Sequence, residues 1–357
     1  MTDRVIAFAG QSLHAAMFTE MSSVAGGPPS PIAGTYMWQQ STLSWIPPYG
    51  AGAIEYANML KAATGDDIYL INAAIGGASL LQVACDPNSP DNCWSNLAAD
   101  SPYSWLMGQV ASCGKTPTRI EWDQGQAEYA YAAANPGYDM FSNYTTALQA
   151  LQSRINSAWG STPQFCISVS GKASYGYSQQ IMRAQINVAT MSNFTLGPAY
   201  YDMYPQWSVD GTHLTGQGYR VKGDRMARNY LGQMGVTGFG GCGPGPQITS
   251  AWKGGSTVAI ATNSSSGMTT YAGPGSLTGF MVWDYGYTRT YDIVSAYLSS
   301  GLIFLSLTEN PGDGNHVHIG YQFDNYQSSA KPVFDNQATF VAGSPLIPCA
   351  NPFETSN

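Results

Sequence analysis

The feature that most constrains the fold is a regular alternation of short apolar runs and amphipathic stretches along roughly the first two thirds of the chain. Apolar runs with the length of strands, each bounded by Gly, Pro or polar turn residues, occupy positions 4–9, 67–73, 119–123, 165–169 and 199–202. Helical patterns lie between them, at 53–63, 101–112, 138–159, 178–192 and 216–231. Strands that alternate with helices build a mostly parallel sheet covered on both faces, so we predict an α/β fold for this part.

Residues suited to a site follow three of the predicted strands. Ser12 comes just after the first, Gly77 just after the second and Gln124 just after the third. In open parallel sheets, ligands bind in the crevice beyond the carboxyl ends of the strands. We therefore expect these three residues to meet at one edge of the sheet.

A cluster of chain-breaking residues divides the sequence. Positions 238–246 read Gly-Phe-Gly-Gly-Cys-Gly-Pro-Gly-Pro, a strong signal for a loop. Short β-type runs separated by turn residues follow, at 247–252, 257–261, 280–283, 290–294, 302–307, 317–323 and 338–341. Such spacing is typical of a small β-sandwich. We predict an α/β domain over 1–237, a linker over 238–246 and an all-β accessory domain over 247–357.

Charge and hydropathy argue against two classes of partner. Charged residues make up 10% of the chain against roughly 25% in an average soluble protein, and the net charge is −8 with 14 Lys and Arg. Phosphate backbones bind clustered basic side chains, so we expect no nucleic-acid partner. No apolar run approaches the roughly 20 residues of a membrane-spanning helix, so we expect no membrane partner either.

The location of the protein follows only from softer signals. No signal peptide is visible, because the residues after Met1 lead directly into the first predicted strand. Scarce Lys and abundant Gly and Tyr nevertheless favour an extracellular or virion-associated protein.

The six cysteines leave two interpretations open. They are Cys85, Cys93, Cys113, Cys166, Cys242 and Cys349. No CxxC pair occurs, so a zinc ribbon is not expected. Cys85 could pair with Cys93 across a polar loop, and Cys242 with Cys349 around the C-terminal segment; alternatively, all six are thiols.

The pattern that carries chemistry joins Gly10-Gln11-Ser12 to Asp210-Gly211-Thr212-His213, about 200 positions later. A serine hydroxyl is a weak nucleophile, and it needs a base within hydrogen-bond reach and a third group that orients the base. Ser12, His213 and Asp210 supply the alcohol, the imidazole and the carboxylate. Asp202 also precedes His213 and is a rival for the orienting role, but the spacing favours Asp210.

Four sequence blocks in one order resemble those of a known family. After Gly10-Gln11-Ser12, positions 72–77 read Asn-Ala-Ala-Ile-Gly-Gly, positions 122–126 read Trp-Asp-Gln-Gly-Gln, and the last block is the Asp210 to His213 motif. Together they resemble the SGNH (GDSL-type) hydrolases, in the branch of carbohydrate O-acetylesterases related to sialate O-acetylesterase. The resemblance covers the N-terminal two thirds and implies a catalytic domain folded as a flavodoxin-like three-layer sandwich.

The resemblance also implies roles for individual residues. Ser12, His213 and Asp210 would be catalytic, and the backbone N–H groups of Ser12 and Gly77 with the side-chain amide of Gln124 would form an oxyanion hole. Gly76 competes with Gly77 for the second donor. Gln11 and Gln126 are expected to contact the substrate, and no cofactor is expected.

The chain departs from this branch at Gln126, where the motif of the relatives ends in a carboxylate. Glu128, two residues further on, could compensate. His316 and His318 alternate along a predicted strand and could share a metal ion, but no Cys or carboxylate cluster accompanies them in the sequence. We therefore expect no metal site.

These observations favour a serine esterase that removes O-acetyl groups from a poly- or oligosaccharide through a Ser-His-Asp acyl-enzyme mechanism. Aromatic residues in the predicted loops support an O-acetylated carbohydrate as partner, because flat rings stack on the C–H faces of sugars. Two alternatives stay open: a glycan-binding or adhesion protein, on a phage tail or secreted, with a vestigial site, or a lipase or thioesterase of the same superfamily. The C-terminal domain could support oligomers.

Overall fold

The structure is a computed structural model that describes residues 2–169, 178–239, 243–264, 268–270, 277–286, 288–312, 316–321, 333–335 and 353–355. The α-helices within this part are α1 (Ser12–Ala15), α2 (Ala51–Thr64), α3 (Pro102–Cys113), α4 (Gln126–Ala134), α5 (Met140–Trp159), α6 (Gln179–Val188), α7 (Tyr204–Trp207) and α8 (Gly216–Gln233). Short 3₁₀ turns lie at Ala16–Phe18, Gln82–Ala84 and Tyr201–Met203. None of the described helices has the length and hydropathy to span a membrane.

The N-terminal strands form a single sheet. They are β1 (Asp3–Gly10), β2 (Thr35–Gln39), β3 (Ser44–Ile46), β4 (Asp67–Asn72), β5 (Arg119–Asp123), β6 (Gln164–Ile167) and β7 (Phe194–Leu196). Their spatial order is β3-β2-β4-β1-β5-β6-β7, and every neighbouring pair is parallel except the hairpin β2–β3. Without that hairpin, the order of the remaining strands is 2-1-3-4-5, as in flavodoxin-like folds. The predicted α/β sandwich is confirmed.

Two hydrophobic layers cover the sheet, and β1 shows how the sequence divides between them. Side chains of a strand point alternately to its two faces. Ile6 and Phe8 belong to the core shared with α2 and α8, whereas Ala7 and Ala9 belong to the core shared with α3, α5 and α6. All four side chains are buried, so the central strand is apolar on both faces, as a parallel sheet between helices requires.

Three local predictions differ from the structure. Positions 199–202 do not form a strand: the last strand is β7, and Tyr201–Met203 is a 3₁₀ turn. The apolar run is buried there because its tyrosines pack inward from a connection, not because it joins the sheet. Between the predicted strands at 4–9 and 67–73, where the pattern predicts no further strand, the chain forms the hairpin β2–β3; α4 is likewise not predicted, because its Ala-rich sequence has few large apolar residues at helical spacing.

Gly10 allows the chain to turn sharply at the end of β1. Its φ is +121°, and a Cβ atom built there would lie 2.0 Å from the backbone oxygen of Asp123 at the end of β5. Only glycine avoids this overlap. The backbone of β1 can therefore lie against β5 just before Ser12, which begins α1.

The C-terminal part is built of antiparallel strands. They are β8 (Ile248–Gly254), β9 (Thr257–Thr262), β10 (Met268–Thr270), β11 (Phe280–Asp284), β12 (Thr290–Tyr291), β13 (Ile293–Ser299), β14 (Leu302–Leu307), β15 (Val317–Tyr321), β16 (Val333–Asp335) and β17 (Phe353–Glu354). Two four-stranded sheets have the orders β12-β11-β15-β17 and β13-β14-β9-β8, and β10 pairs with β16. One apolar cluster unites side chains of both larger sheets, which agrees with the predicted sandwich. The predicted strand at 338–341 lies outside the described residues.

The strand-rich part packs against the α/β part near the carboxyl ends of β6 and β7. Its apolar cluster also includes Val169, Met182 and Ala199, and the hydroxyl groups of Tyr201 and Tyr321 lie 2.7 Å apart. The predicted linker falls between the end of α8 at Gln233 and the start of β8 at Ile248. The division into domains at 237 and 247 stays a prediction.

We expect Gly10→Ala to lower the free energy of unfolding by about 2–4 kcal/mol, because the added Cβ would overlap the Asp123 carbonyl and the backbone must move. Urea unfolding followed by circular dichroism measures this change. Gly108→Ala in α3 is the matched control, because a Cβ there meets nothing within 4 Å. It should change stability by less than about 1 kcal/mol. Equal effects of the two substitutions would contradict the argument.

Candidate active site

Ser12, His213 and Asp210 form a continuous hydrogen-bonded chain. The Ser12 hydroxyl oxygen lies 2.9 Å from His213 Nε2, and His213 Nδ1 lies 2.7 Å from Asp210 Oδ2. Because a carboxylate only accepts hydrogen bonds, Nδ1 carries the proton and Nε2 is left to accept from the hydroxyl. A serine nucleophile, its base and the group that orients the base require this arrangement.

Hydrogen bonds from backbone N–H groups to the Asp210 side chain fix the turn that holds Asp210 and His213. Asp210 Oδ1 accepts hydrogen bonds from the backbone N–H of Thr212 at 2.8 Å and of His213 at 2.6 Å. Gly211 supplies a positive φ of +80° between them. Thr215 then caps α8 by accepting from the N–H of Gly218, so the imidazole is placed at the entrance to a long helix.

The Asp210 carboxyl group is held in its charged form. Burial raises its pKa, but hydrogen bonds from the His213 ring and from the two backbone N–H groups outweigh that effect, and the net pKa is below the ordinary value. The group that orients His213 is therefore an acceptor over the neutral pH range.

Asp202, the sequence-level rival of Asp210, serves another partner. Its two oxygens accept hydrogen bonds from Arg225 Nη1 and Nη2 at 2.9 and 2.8 Å, and both side chains are buried. A bidentate pair of this kind fixes α8 to the connection after β7. The structure thus leaves Asp210 as the orienting group.

A buried ion pair supports the segment that carries Ser12. Lys222 of α8 donates to Asp123 Oδ2, and it also donates to the backbone oxygen of Leu13 at 3.2 Å. Tyr200 donates its hydroxyl hydrogen to Asp123 Oδ1, and the Lys222 ammonium lies 4.5 Å from the centroid of the Tyr200 ring. Lys222 and Asp123 are almost completely buried, so the end of β5, the start of α1 and the helix after His213 are joined through one paired charge.

Two of the expected oxyanion donors lie on turns next to Ser12. The N–H of Ser12 is at the first position of α1, where no preceding turn of helix supplies an acceptor. Gly77 has a φ of +70° in the turn after β4, and the neighbouring Gly76 carbonyl accepts from Asn92 Nδ2 at 3.0 Å. The choice between Gly77 and Gly76 as the second donor stays a prediction.

The Gln124 amide is committed to the protein. Its Nε2 donates to Glu128 and lies within 3.2 Å of the Ala78 backbone oxygen and 3.3 Å of Gln11 Oε1. The side chain is completely buried. A third oxyanion donor at Gln124 stays a prediction, and it would require one of these hydrogen bonds to be given up.

The two expected substrate contacts are also buried. Gln11 is 3% exposed, and its Oε1 lies 3.4 Å from the backbone N of Ala127. Gln126 is 0% exposed, and none of the described residues hydrogen-bonds to either polar atom of its amide. Both side chains are buried instead of facing solvent, so their contact with a substrate stays a prediction.

Sequence reasoning missed two residues near the site, Lys222 and Tyr200, which hold Asp123. Glu128, which the sequence offered as a substitute for the carboxylate absent at Gln126, holds Gln124 together with the turn after β4. A lysine within a helix is ordinarily a solvent-facing residue. The available signal was Asp123 itself, because a carboxylate at the end of a buried strand needs a partner from elsewhere in the chain.

The C-terminal histidines have contacts of their own. His316 Nδ1 donates to the backbone oxygen of Thr355 at 2.6 Å and lies 3.3 Å from Glu354 Oε1, and the His318 ring stacks on Tyr285. Across the part of the chain that the structure describes, no three His, Cys, Asp or Glu residues group closely enough to hold a metal ion. Cys85, Cys93, Cys113 and Cys166 are thiols here, whereas Cys242 and Cys349 lie outside the described residues.

Comparison with solved structures finds similar folds. A carbohydrate acetylesterase from Xanthomonas citri has a TM-score of 0.66 at 15% identity, over 99% of this chain and 80% of its own. A protein from Arabidopsis thaliana has a TM-score of 0.50 at 16% identity, over 65% of this chain and 98% of its own. No protein-family profile and no curated protein matches the chain. At these identities the likeness shows the fold alone, and the α/β fold with a strand-rich C-terminal part that the sequence predicts agrees with it.

His14, two residues after Ser12, makes the stability of the fold depend on pH. Its ring is buried and donates from Nδ1 to the Ala9 backbone oxygen at 2.9 Å. Burial, followed by the nearby Lys222 cation, lowers the pKa of His14 to about 3. A histidine in an unfolded chain titrates near 6.5, so the unfolded state binds more protons between these values.

Stability supplied by neutral His14 should therefore be complete above about pH 6.5 and should be lost as the pH falls toward 3. We expect His14→Gln to remove this part of the pH dependence. The free energy of unfolding of each protein is measured in urea at several pH values from 7 to 4. The stability advantage of the wild type over the variant should shrink as the pH falls. A difference that is constant with pH would refute a buried, neutral His14.

Proposed function

We propose that the protein is a serine esterase that removes O-acetyl groups from a carbohydrate. The observation that carries the proposal is the unbroken chain from Ser12 Oγ through the His213 ring to Asp210, with distances of 2.9 and 2.7 Å. The fold shared with a carbohydrate acetylesterase supports the proposal at the level of the architecture.

The reaction would proceed in two halves. Ser12 Oγ attacks the acetyl carbonyl while His213 Nε2 takes the hydroxyl proton, and the imidazolium then gives that proton to the departing sugar oxygen. Water, activated by the same nitrogen, attacks the acetyl-serine and releases acetate. Asp210 keeps the Nδ1 proton of His213 in place and stabilises the positive ring in both halves.

The negative charge on the tetrahedral oxygen needs donors that are already in place. The N–H groups of Ser12 and Gly77 supply them from two turns on adjacent strands, β1 and β4. Donors that do not have to reorganise stabilise the transition state more than the ground state, and each contributes about 10²–10³ in turnover.

We expect Ser12→Ala to lower kcat/KM for a chromogenic acetyl ester by at least about 10³-fold, because the covalent route is lost while binding is retained. Ser157→Ala is the control, since this serine is exposed on α5 and distant in sequence from the motifs. Wild-type turnover by the Ser12 variant would exclude the proposed nucleophile.

The acyl group and the carrier distinguish the proposal from its alternatives. We expect acetyl esters to be hydrolysed faster than octanoyl esters, and acetate to be released from an acetylated polysaccharide in a manner that depends on Ser12. Acetate is measured by an enzyme-coupled assay. A preference for octanoyl esters would indicate a lipase or thioesterase, and glycan binding without any acetate release would indicate a vestigial site.

A further inference from the structure

The carboxylate of Glu128 lies among N–H donors and not beside a cation. The residue belongs to α4 and is completely buried. Its Oε1 accepts from the backbone N–H of Leu80 at 2.5 Å and of Leu81 at 3.1 Å, and its Oε2 accepts from Gln124 Nε2. Among the described residues, no Lys, Arg or His side chain forms an ion pair with Glu128.

These bonds close a ring between the end of β5 and the turn after β4. The Gln124 amide donates both to Glu128 and to the backbone oxygen of Ala78, and Glu128 accepts from Leu80 and Leu81, two and three residues later. Gly77 immediately precedes Ala78. The segment that carries the expected oxyanion donor is therefore tied to the end of β5 and to α4 by the Gln124 amide and the Glu128 carboxylate.

A buried carboxylate without a counter-ion destabilises the fold unless hydrogen bonds compensate. Burial raises the pKa of Glu128 above its ordinary value, and hydrogen bonds from Gln124, Leu81 and Leu80 oppose this effect only in part. A backbone N–H group left without a partner in the same place would also destabilise the fold. The three donors thus need an acceptor, and one carboxylate satisfies all three with both of its oxygens.

We propose that Glu128 is the positioning residue of the oxyanion hole. It touches neither the substrate nor Ser12, and it acts by holding the segment 77–81 and the Gln124 amide in register with the nucleophile. This inference rests on the proposed esterase function for its catalytic consequence, but the clamp itself can be measured without turnover.

Glutamine cannot replace this carboxylate. In Glu128→Gln one acceptor oxygen becomes an NH₂ group, which must face either the Leu80 and Leu81 N–H groups or the Gln124 amide hydrogen. Rotating the Gln124 amide does not solve the conflict, because its Nε2 also serves the Ala78 oxygen. At least one bond of the ring is lost while the volume of the side chain is kept.

The experiment compares Glu128→Gln with Glu121→Gln. Glu121 is also completely buried, on β5, but its Oε1 accepts from Arg119 and Tyr56, away from the turn after β4. Both variants should be less stable than the wild type, and both are assayed well below their melting temperatures. We expect Glu128→Gln to lower kcat by about 10–100-fold with KM within about threefold, and Glu121→Gln to keep the wild-type kcat.

A tetrahedral inhibitor supplies a readout that general destabilisation does not move. An alkyl boronic acid forms an anionic tetrahedral adduct with a reactive serine, so its affinity should fall in Glu128→Gln by about the same factor as kcat/KM. The affinity should not fall in Glu121→Gln. Equal losses in the two variants, or a folded Glu128→Gln protein with wild-type kcat, would overturn the positioning role.

Hydrogen exchange tests the clamp independently of activity. The amide groups of residues 77–81 should exchange faster in Glu128→Gln than in the wild type and in Glu121→Gln. If the glutamine variant does not fold, Glu128→Asp, which keeps the charge but withdraws it by one methylene, serves the same comparison. Wild-type protein that neither turns over esters nor binds the boronic acid would refute the proposed function, whereas unchanged exchange at 77–81 would refute the clamp.

Discussion

The structure of the site depends on the packing of backbone and charge around Asp123. The Asp123 backbone oxygen occupies the space where a Cβ of residue 10 would lie, and it accepts the N–H of Gln11 at 3.0 Å. The Asp123 side chain pairs with Lys222 and Tyr200. The end of β5 therefore sets the path of the chain into Ser12 and, through α8, holds the helix that follows His213. Holding Ser12 and His213, about 200 positions apart in sequence, at hydrogen-bond distance needs such a rigid intermediary.

Helix α8, which packs against the Asp123 cluster, is rich in buried charges. It carries Lys222, Arg225 and Arg228, all buried, and each is paired with a carboxylate. Small side chains let the helix approach α2 closely: a Cβ at Gly223 would lie 2.2 Å from the Gly52 backbone oxygen. Lys222 and Arg225 reach carboxylates outside the helix and so favour one position of α8, because an unpaired buried charge is strongly unfavourable, whereas Arg228 pairs within the helix with Asp224. The pairs thus specify position more than they add net stability.

The alternation of strands and helices and the motifs that hold Ser12, Asp210 and His213 could be predicted because they rest on local signals. Ser12, Asp210 and His213 lie in short motifs, and the strands that position them are apolar runs with clear ends. The hairpin β2–β3, α4 and the connection at 199–202 could not be read in the same way, since Tyr200 and Tyr201 are apolar in sequence but are buried through their hydroxyl contacts with Asp123 and Tyr321. The partner of a buried polar group is chosen by the tertiary fold, and no spacing rule supplies it.

The position of the carboxylate near Gln124 also follows from the need to pair buried polar groups. In the motif that this chain resembles, the carboxylate would stand at position 126. Here Gln126 is a buried amide to which no described residue hydrogen-bonds, and the carboxylate stands two residues further along α4 at Glu128. The donors that must be satisfied, the N–H groups of Leu80 and Leu81, belong to the opposite segment and have few alternatives. Any carboxylate on α4 that reaches these N–H groups satisfies them. The backbone donors therefore constrain this site more than the position of the acid in the motif does.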